Sequence, residues 1–139
     1  MAMEPAAAAD ALPPYELGFP RTDMRRKLVE AVLSGAKTAT ASLRAMYEPF
    51  TKDPLPRSGG RFSLVGYSDE PLGAVEVTGV SVVPLDEVDL EFAVDEGEGY
   101  TTIAEWRAAA RESWPAYNVT GTTLVVCERF RFVGPDGHA

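Results

Sequence analysis

Gly35 marks a change of period that constrains this chain more than any other feature. Before it, Met24, Leu28 and Val32 recur every fourth residue, and Thr22 or Asp23 can cap the start, so the spacing predicts a helix that stops at the glycine. After it, Ala39, Ala41 and Leu43 alternate with Thr38, Thr40 and Ser42, the period of a half-buried strand. Lys37-Thr38-Ala39-Thr40 therefore sits at a helix-to-strand junction. A threonine hydroxyl is a poor nucleophile until a base takes its proton, and a lysine is that base only where its surroundings hold part of it neutral. In a straight strand Lys37 and Thr40 point to opposite faces, so a shared role requires a bend at the junction. Thr38, on the face of Thr40, is an alternative actor, and an ordinary strand start with a solvated lysine is the plain reading.

Further along, Arg61 to Tyr67 and Gly73 to Val83 alternate as strands, with turn residues Ser68-Asp69-Glu70-Pro71 between them. Asp86 to Glu96 has helical spacing and ends in Asp95-Glu96-Gly97-Glu98-Gly99. Thr102 and Glu105 form a capping box for a helix that bears Trp106 and stops near Pro115, and a face of small residues beside Trp106 predicts packing against a sheet. The final strand, Thr122 to Val133, places Glu128 in an apolar row, where a carboxylate needs a partner; an ion pair with an arginine is the expected one. The proline- and glycine-punctuated stretch Glu48 to Gly60, framed by Arg44 and Arg57, has the length of a binding loop or lid. Arg25, Arg26 and Lys27, in the first turn of the first helix, read as a solvated basic face or as an anion contact. Strands dominate the middle and end without regular alternation with helices, which is an α+β pattern and not a doubly wound parallel sheet.

Composition excludes several classes of function. The length of 139 residues and the 45% hydrophobic content suit one domain with one ordinary core, here expected over residues 17–133, with a loose alanine- and proline-rich arm at 1–16 and a polar tail at 134–139. A formal charge of −8, from 21 acidic and 13 basic residues, argues against a protein whose task is to neutralise many phosphates on a duplex. Cys127 is the lone cysteine and His138 the lone histidine, so neither an internal disulfide nor a metal cluster is expected, and no cofactor fingerprint is present. No apolar run is long enough to span a membrane and no basic segment precedes the alanines, so a cytoplasmic setting is the default expectation.

The run Gly35 to Leu43, followed by Tyr47-Glu48, Pro54-Leu55-Pro56 and Gly60, resembles the opening of an ASCH domain of the PUA-like superfamily. Val80 to Val88, the acidic stretch Phe92 to Gly99, Trp106-Arg107 and Val125 to Phe130 continue the resemblance in family order. It implies a small, mostly antiparallel β-barrel with flanking helices and a cleft beside the lysine-bearing strand. In one branch of the family the domain is an amidohydrolase that removes the acetyl group of N4-acetylcytidine, using a lysine, a threonine three residues later and a downstream glutamate. Carried over, these are Lys37, Thr40 and Glu96, with Glu98 or Asp95 as neighbouring choices for the carboxylate. Beyond what the resemblance implies, Thr38 and Tyr47 are expected as substrate contacts, and Arg44 and Arg57, framing the long loop, as substrate contacts or solvated charges. In that scheme Lys37 accepts the Thr40 proton, and because Lys37 starts a strand its replacement is expected to spare the fold. Other members resemble RNA-binding modules or ribonucleases. Related sequences often carry a histidine shortly after the Trp-Arg pair where Ala110 stands here, which counts against nuclease activity. The implied partner is a nucleoside or RNA-derived small molecule, with single-stranded RNA as the alternative.

Overall fold

The computed structural model describes residues 12–134. Most of the expected arm and most of the tail, including His138, lie outside the described residues. Strand β1 is Pro14–Tyr15, helix α1 Asp23–Ser34, β2 Ala39–Leu43, β3 Arg61–Val65 and β4 Pro71–Pro84, followed by helices α2, Leu90–Asp95, and α3, Ile103–Ser113, and by β5, Leu124–Gly134. The strands form one sheet in the order β1-β3-β4-β5-β2. The β1–β3 pair is parallel and the others are antiparallel. The architecture is the α+β one expected, a five-stranded sheet curled into a half-barrel with a few helices against it.

Local chemistry explains the first half of this order. Thr22 caps α1 by accepting the Arg25 N–H at 3.1 Å, and Gly35 ends it in the left-handed conformation at φ 87°. The chain then leaves the helix with the Lys37 N–H bonded to the Ala31 carbonyl and the Thr38 N–H bonded to the Asp95 carbonyl. The β3–β4 hairpin has the expected turn, and the Thr102–Glu105 capping box is formed.

Two cores lie against the sheet. One packs Ala39, Leu43, Val125 and Cys127 against Leu85, Val88, Phe92, Trp106 and Ala110. The other gathers Tyr15, Leu17, Val29, Val32, Leu64, Val75 and Phe130. Trp106 is 2% exposed, so the core role expected of it holds.

Four local expectations are corrected. Tyr15, assigned by sequence to the arm, is buried in a strand, because its ring packs on Phe62 and Phe130 at 5.2 and 5.5 Å between centroids. The helix expected over Asp86 to Glu96 begins only at Leu90, after a single 3-10 turn, because Asp89 is the residue that caps it by accepting the Phe92 N–H. Arg25 is neither a solvated charge nor open to a ligand anion: it is fully buried and bonds the carbonyls of Leu17, Gly18 and Gly66 and the carboxylate of Asp69. With Arg25, Val29 and Val32 on the buried face of α1, Met24 is turned out to solvent.

Candidate active site

Strand β2 pairs with β5 on one side only, so its other edge exposes backbone groups that need partners. Lys37 Nζ donates to the Ala39 carbonyl at 2.9 Å, and Glu96 Oε2 accepts the Ala41 N–H at 3.0 Å. The two side chains thus stand where a neighbouring strand would be. Lys37 is 2% exposed, and its ammonium also donates to the Glu96 carbonyl and to Glu98 Oε2, both at 3.2 Å. All three ammonium donors are therefore used. Glu96 Oε2 lies 4.0 Å from Lys37 Nζ, and Glu96 Oε1 accepts the indole N–H of Trp106. Burial pushes the Glu96 carboxyl up from its usual range, while Lys37, the indole and the Ala41 N–H pull it back. Asp95 is committed elsewhere, to Arg129 at 2.7 Å.

Glycine makes this approach possible. Gly97 has φ +71°, and a Cβ there would lie 2.5 Å from the Ala36 carbonyl oxygen and 2.8 Å from Lys37 Cα. Only a residue without a side chain lets the acidic loop close over Lys37.

Thr40 is placed differently. It and Ser42 line a groove of about 1410 Å³ together with Tyr15, Tyr47, Glu128, Arg57, Arg61 and the Pro54–Pro56 segment of the long loop. The loop expected to frame a ligand site is one wall of it. The Thr40 hydroxyl makes no hydrogen bond within the described residues, to Lys37 or to any other group. The structure therefore brings Lys37 and Glu96 together and leaves Thr40 on the groove side of the same strand. Lys37 acts as a base for Thr40 only if its amine leaves one of its three acceptors.

Of the other expected contacts, Tyr47 and Arg57 line the groove and Tyr47 Oη is 2.7 Å from Ser42 Oγ. Thr38 is exposed and outside the groove wall, its backbone held by Asp95 and Phe130. Arg44 turns away, donating to the Glu48 carbonyl and lying over the Phe50 ring.

Sequence reasoning missed Tyr15 and assigned Glu128 the wrong partner. Glu128 Oε2 accepts the Tyr15 hydroxyl at 2.9 Å, and no arginine pairs with it among the described residues. Burial pushes the Glu128 carboxyl up, with the Tyr15 bond opposing. The Tyr15 phenol is pushed up by burial and then by the Glu128 charge, and the Tyr47 phenol by burial. The signals were present: a carboxylate in an apolar row, and one large aromatic in an alanine–proline segment. No cluster of three or more metal-ligating side chains occurs among the described residues, and no described helix is long and apolar enough to cross a membrane.

Fold and groove together define a small α+β half-barrel domain with a ligand-sized concave site beside a buried ion pair. The chain belongs to the ASCH domain family, whose family model matches residues 16–134. Protein EF3133 of Enterococcus faecalis V583 is similar in structure, with a TM-score of 0.75 and 26% identity over 88% of this chain and 76% of that one. The ASCH domain from Lactobacillus crispatus JV V101 has a TM-score of 0.75 at 23% identity, covering 88% of this chain and 79% of that one. No curated protein matches the chain.

Proposed function

We propose that the chain is an amidohydrolase that removes the acyl group of a modified nucleoside of the N4-acetylcytidine kind. The observation that carries this reading is the Thr40 hydroxyl, free of intramolecular bonds in the wall of a groove of about 1410 Å³ and borne on the strand whose open edge Lys37 and Glu96 hold. A nucleophile must be presented rigidly and yet be free to meet its substrate. Anchoring the edge of β2 through the Ala39 carbonyl and the Ala41 N–H supplies the rigidity without engaging the hydroxyl between them. The groove exceeds the roughly 300–1,000 Å³ of common small-molecule sites, enough for base, ribose and acyl group together. Tyr47 and Arg57 are the groove residues suited to the base face and to a polar ribose substituent.

The sequence resemblance supplies the substrate class, and the charge of −8 favours a nucleoside over a long RNA. Thr40 attacks the acyl carbonyl, and Lys37 with Glu96 fixes the strand that presents it. Chromatography of nucleosides after incubation with N4-acetylcytidine tests the reading. Cytidine is expected from the wild-type chain and none from Thr40→Ala. Absence of cytidine at high wild-type concentration, with salt-dependent binding of single-stranded RNA, replaces this function with RNA binding.

A further inference from the structure

Two carboxylates are buried among the described residues, and only one of them faces a cation. Glu96 lies beside Lys37, whereas the Glu128 carboxylate has one hydrogen bond among the described residues, from the Tyr15 hydroxyl. A buried charge kept for structure needs a counter-ion, because an uncompensated one destabilises the fold. Glu128 is 6% exposed, has none among the described residues, and forms part of the groove wall. Its position is also specific. Thr40 is its direct partner across the β2–β5 pair, so the two side chains leave the sheet on the same face, with Cβ atoms about 4.5–5.5 Å apart for such partners. Tyr15 holds Oε2, which leaves Oε1 for a proton at the groove surface.

We propose that Glu128 is the acid–base residue of the groove. The proposal rests on the amidohydrolase reading and supplies the proton acceptor that a fully bonded Lys37 does not offer. The Glu128 carboxylate takes the Thr40 Oγ proton as Oγ bonds to the acyl carbon. Collapse of the tetrahedral species breaks the carbon–nitrogen bond, and Glu128 passes that proton to the departing amine. Water then attacks the acyl ester on Thr40, giving its proton to Glu128 and releasing the free acid, and the Thr40 oxygen recovers the proton from Glu128. Burial and the Tyr15 hydrogen bond set its ionisation, and the other titratable or charged residues of the groove wall are Glu16 beside β1, Tyr47, Glu48, Asp53 and Arg57 from the long loop, and Arg61 from β3.

The test uses the full chain with N4-acetylcytidine, as wild type, Glu128→Gln and Tyr15→Phe, with kcat measured across pH and cytidine binding and thermal melts measured in parallel. Glu128→Gln is expected to lower kcat by about 100-fold or more, the lower bound of general acid–base assistance, while still binding cytidine and melting no lower than wild type. Tyr15→Phe removes a bond that favours the ionised carboxylate, so the acid limb of its kcat profile moves to higher pH. If Glu128→Gln does not fold, that shift alone decides. An active wild type with unchanged kcat in Glu128→Gln, an unmoved limb in Tyr15→Phe, or equal loss of cytidine binding overturns the role of Glu128 and leaves the amidohydrolase reading standing. A wild type that releases no cytidine removes both.

Discussion

Replacing Lys37 by methionine keeps the length of the side chain and deletes its charge. Lys37 is 2% exposed, so the change is felt in a dry site. Glu96 and Glu98 lose their cation, and the carbonyls of Ala39 and Glu96 lose their donor. Breaking a buried ion pair from one side costs about 3–5 kcal/mol, because the remaining charge stays buried. With unfolding entropy near 2.1 cal/mol/K per residue, 139 residues lose roughly 3 °C of Tm per kcal/mol, so a fall of about 10–17 °C is expected. The sign with pH follows from Glu96. Its carboxyl is already raised in the folded state and rises further without Lys37, so the folded chain binds more protons than the unfolded one. The stability linked to that group is present below the ordinary glutamate range and is lost as pH rises through the folded value. The deficit of Lys37→Met is therefore largest near pH 7.5 and smaller near pH 4.5. Melts followed by circular dichroism at both pH values measure it. A variant that melts with wild type, or a deficit independent of pH, refutes the view that Lys37 organises the edge of β2, and restores the expectation that its replacement spares the fold.

Trp106→Phe keeps most of the packing but removes the indole donor to Glu96, which is expected to cost about 1–3 kcal/mol; Trp106→Ala adds a cavity and is expected to cost about 3–5 kcal/mol in denaturant titrations. An unchanged midpoint for Trp106→Ala removes its core role. Gly97→Ala puts a Cβ against the Ala36 carbonyl at a left-handed φ, and a loss of about 1–3 kcal/mol is expected in the same assay, with no loss if the acidic loop does not close on Lys37. Cys127 is buried and its thiol is pushed up to about 11, so alkylation by iodoacetamide at pH 7.5 should be slow in the native chain and fast in denaturant. Equal rates in the two conditions show that the core of Leu85, Val88 and Phe92 does not cover it.

The helix stop at Gly35, the alternation after it, the hairpin and the Thr102–Glu105 cap were legible because each depends on residues within a few positions of one another. Lys37 and Glu96 came from the family resemblance, and the structure shows why they are near each other: the Thr38 N–H meets the Asp95 carbonyl and Gly97 permits the approach. Burial of Arg25 was not legible, because its carbonyl partners come from loops at residues 17, 18 and 66 that only the folded chain gathers. Tyr15 was hidden by its neighbours, since a two-residue strand has no period to detect. Its bond to Glu128 spans 113 positions and exists because the sheet curls, a property of strand order that the alternation in any single strand does not encode.

A crystal structure of Thr40→Ala with N4-acetylcytidine tests most directly whether the chemistry takes place in the groove on the Thr40 face of β2. The expected density lies between β2 and the Pro54–Pro56 segment, with the acetyl carbonyl carbon about 3–3.5 Å from where the Thr40 oxygen stands in the wild type and the exocyclic nitrogen turned toward Glu128. Density in the smaller depression of about 410 Å³ beside Cys127 and Arg129, or none at saturating ligand, contradicts it.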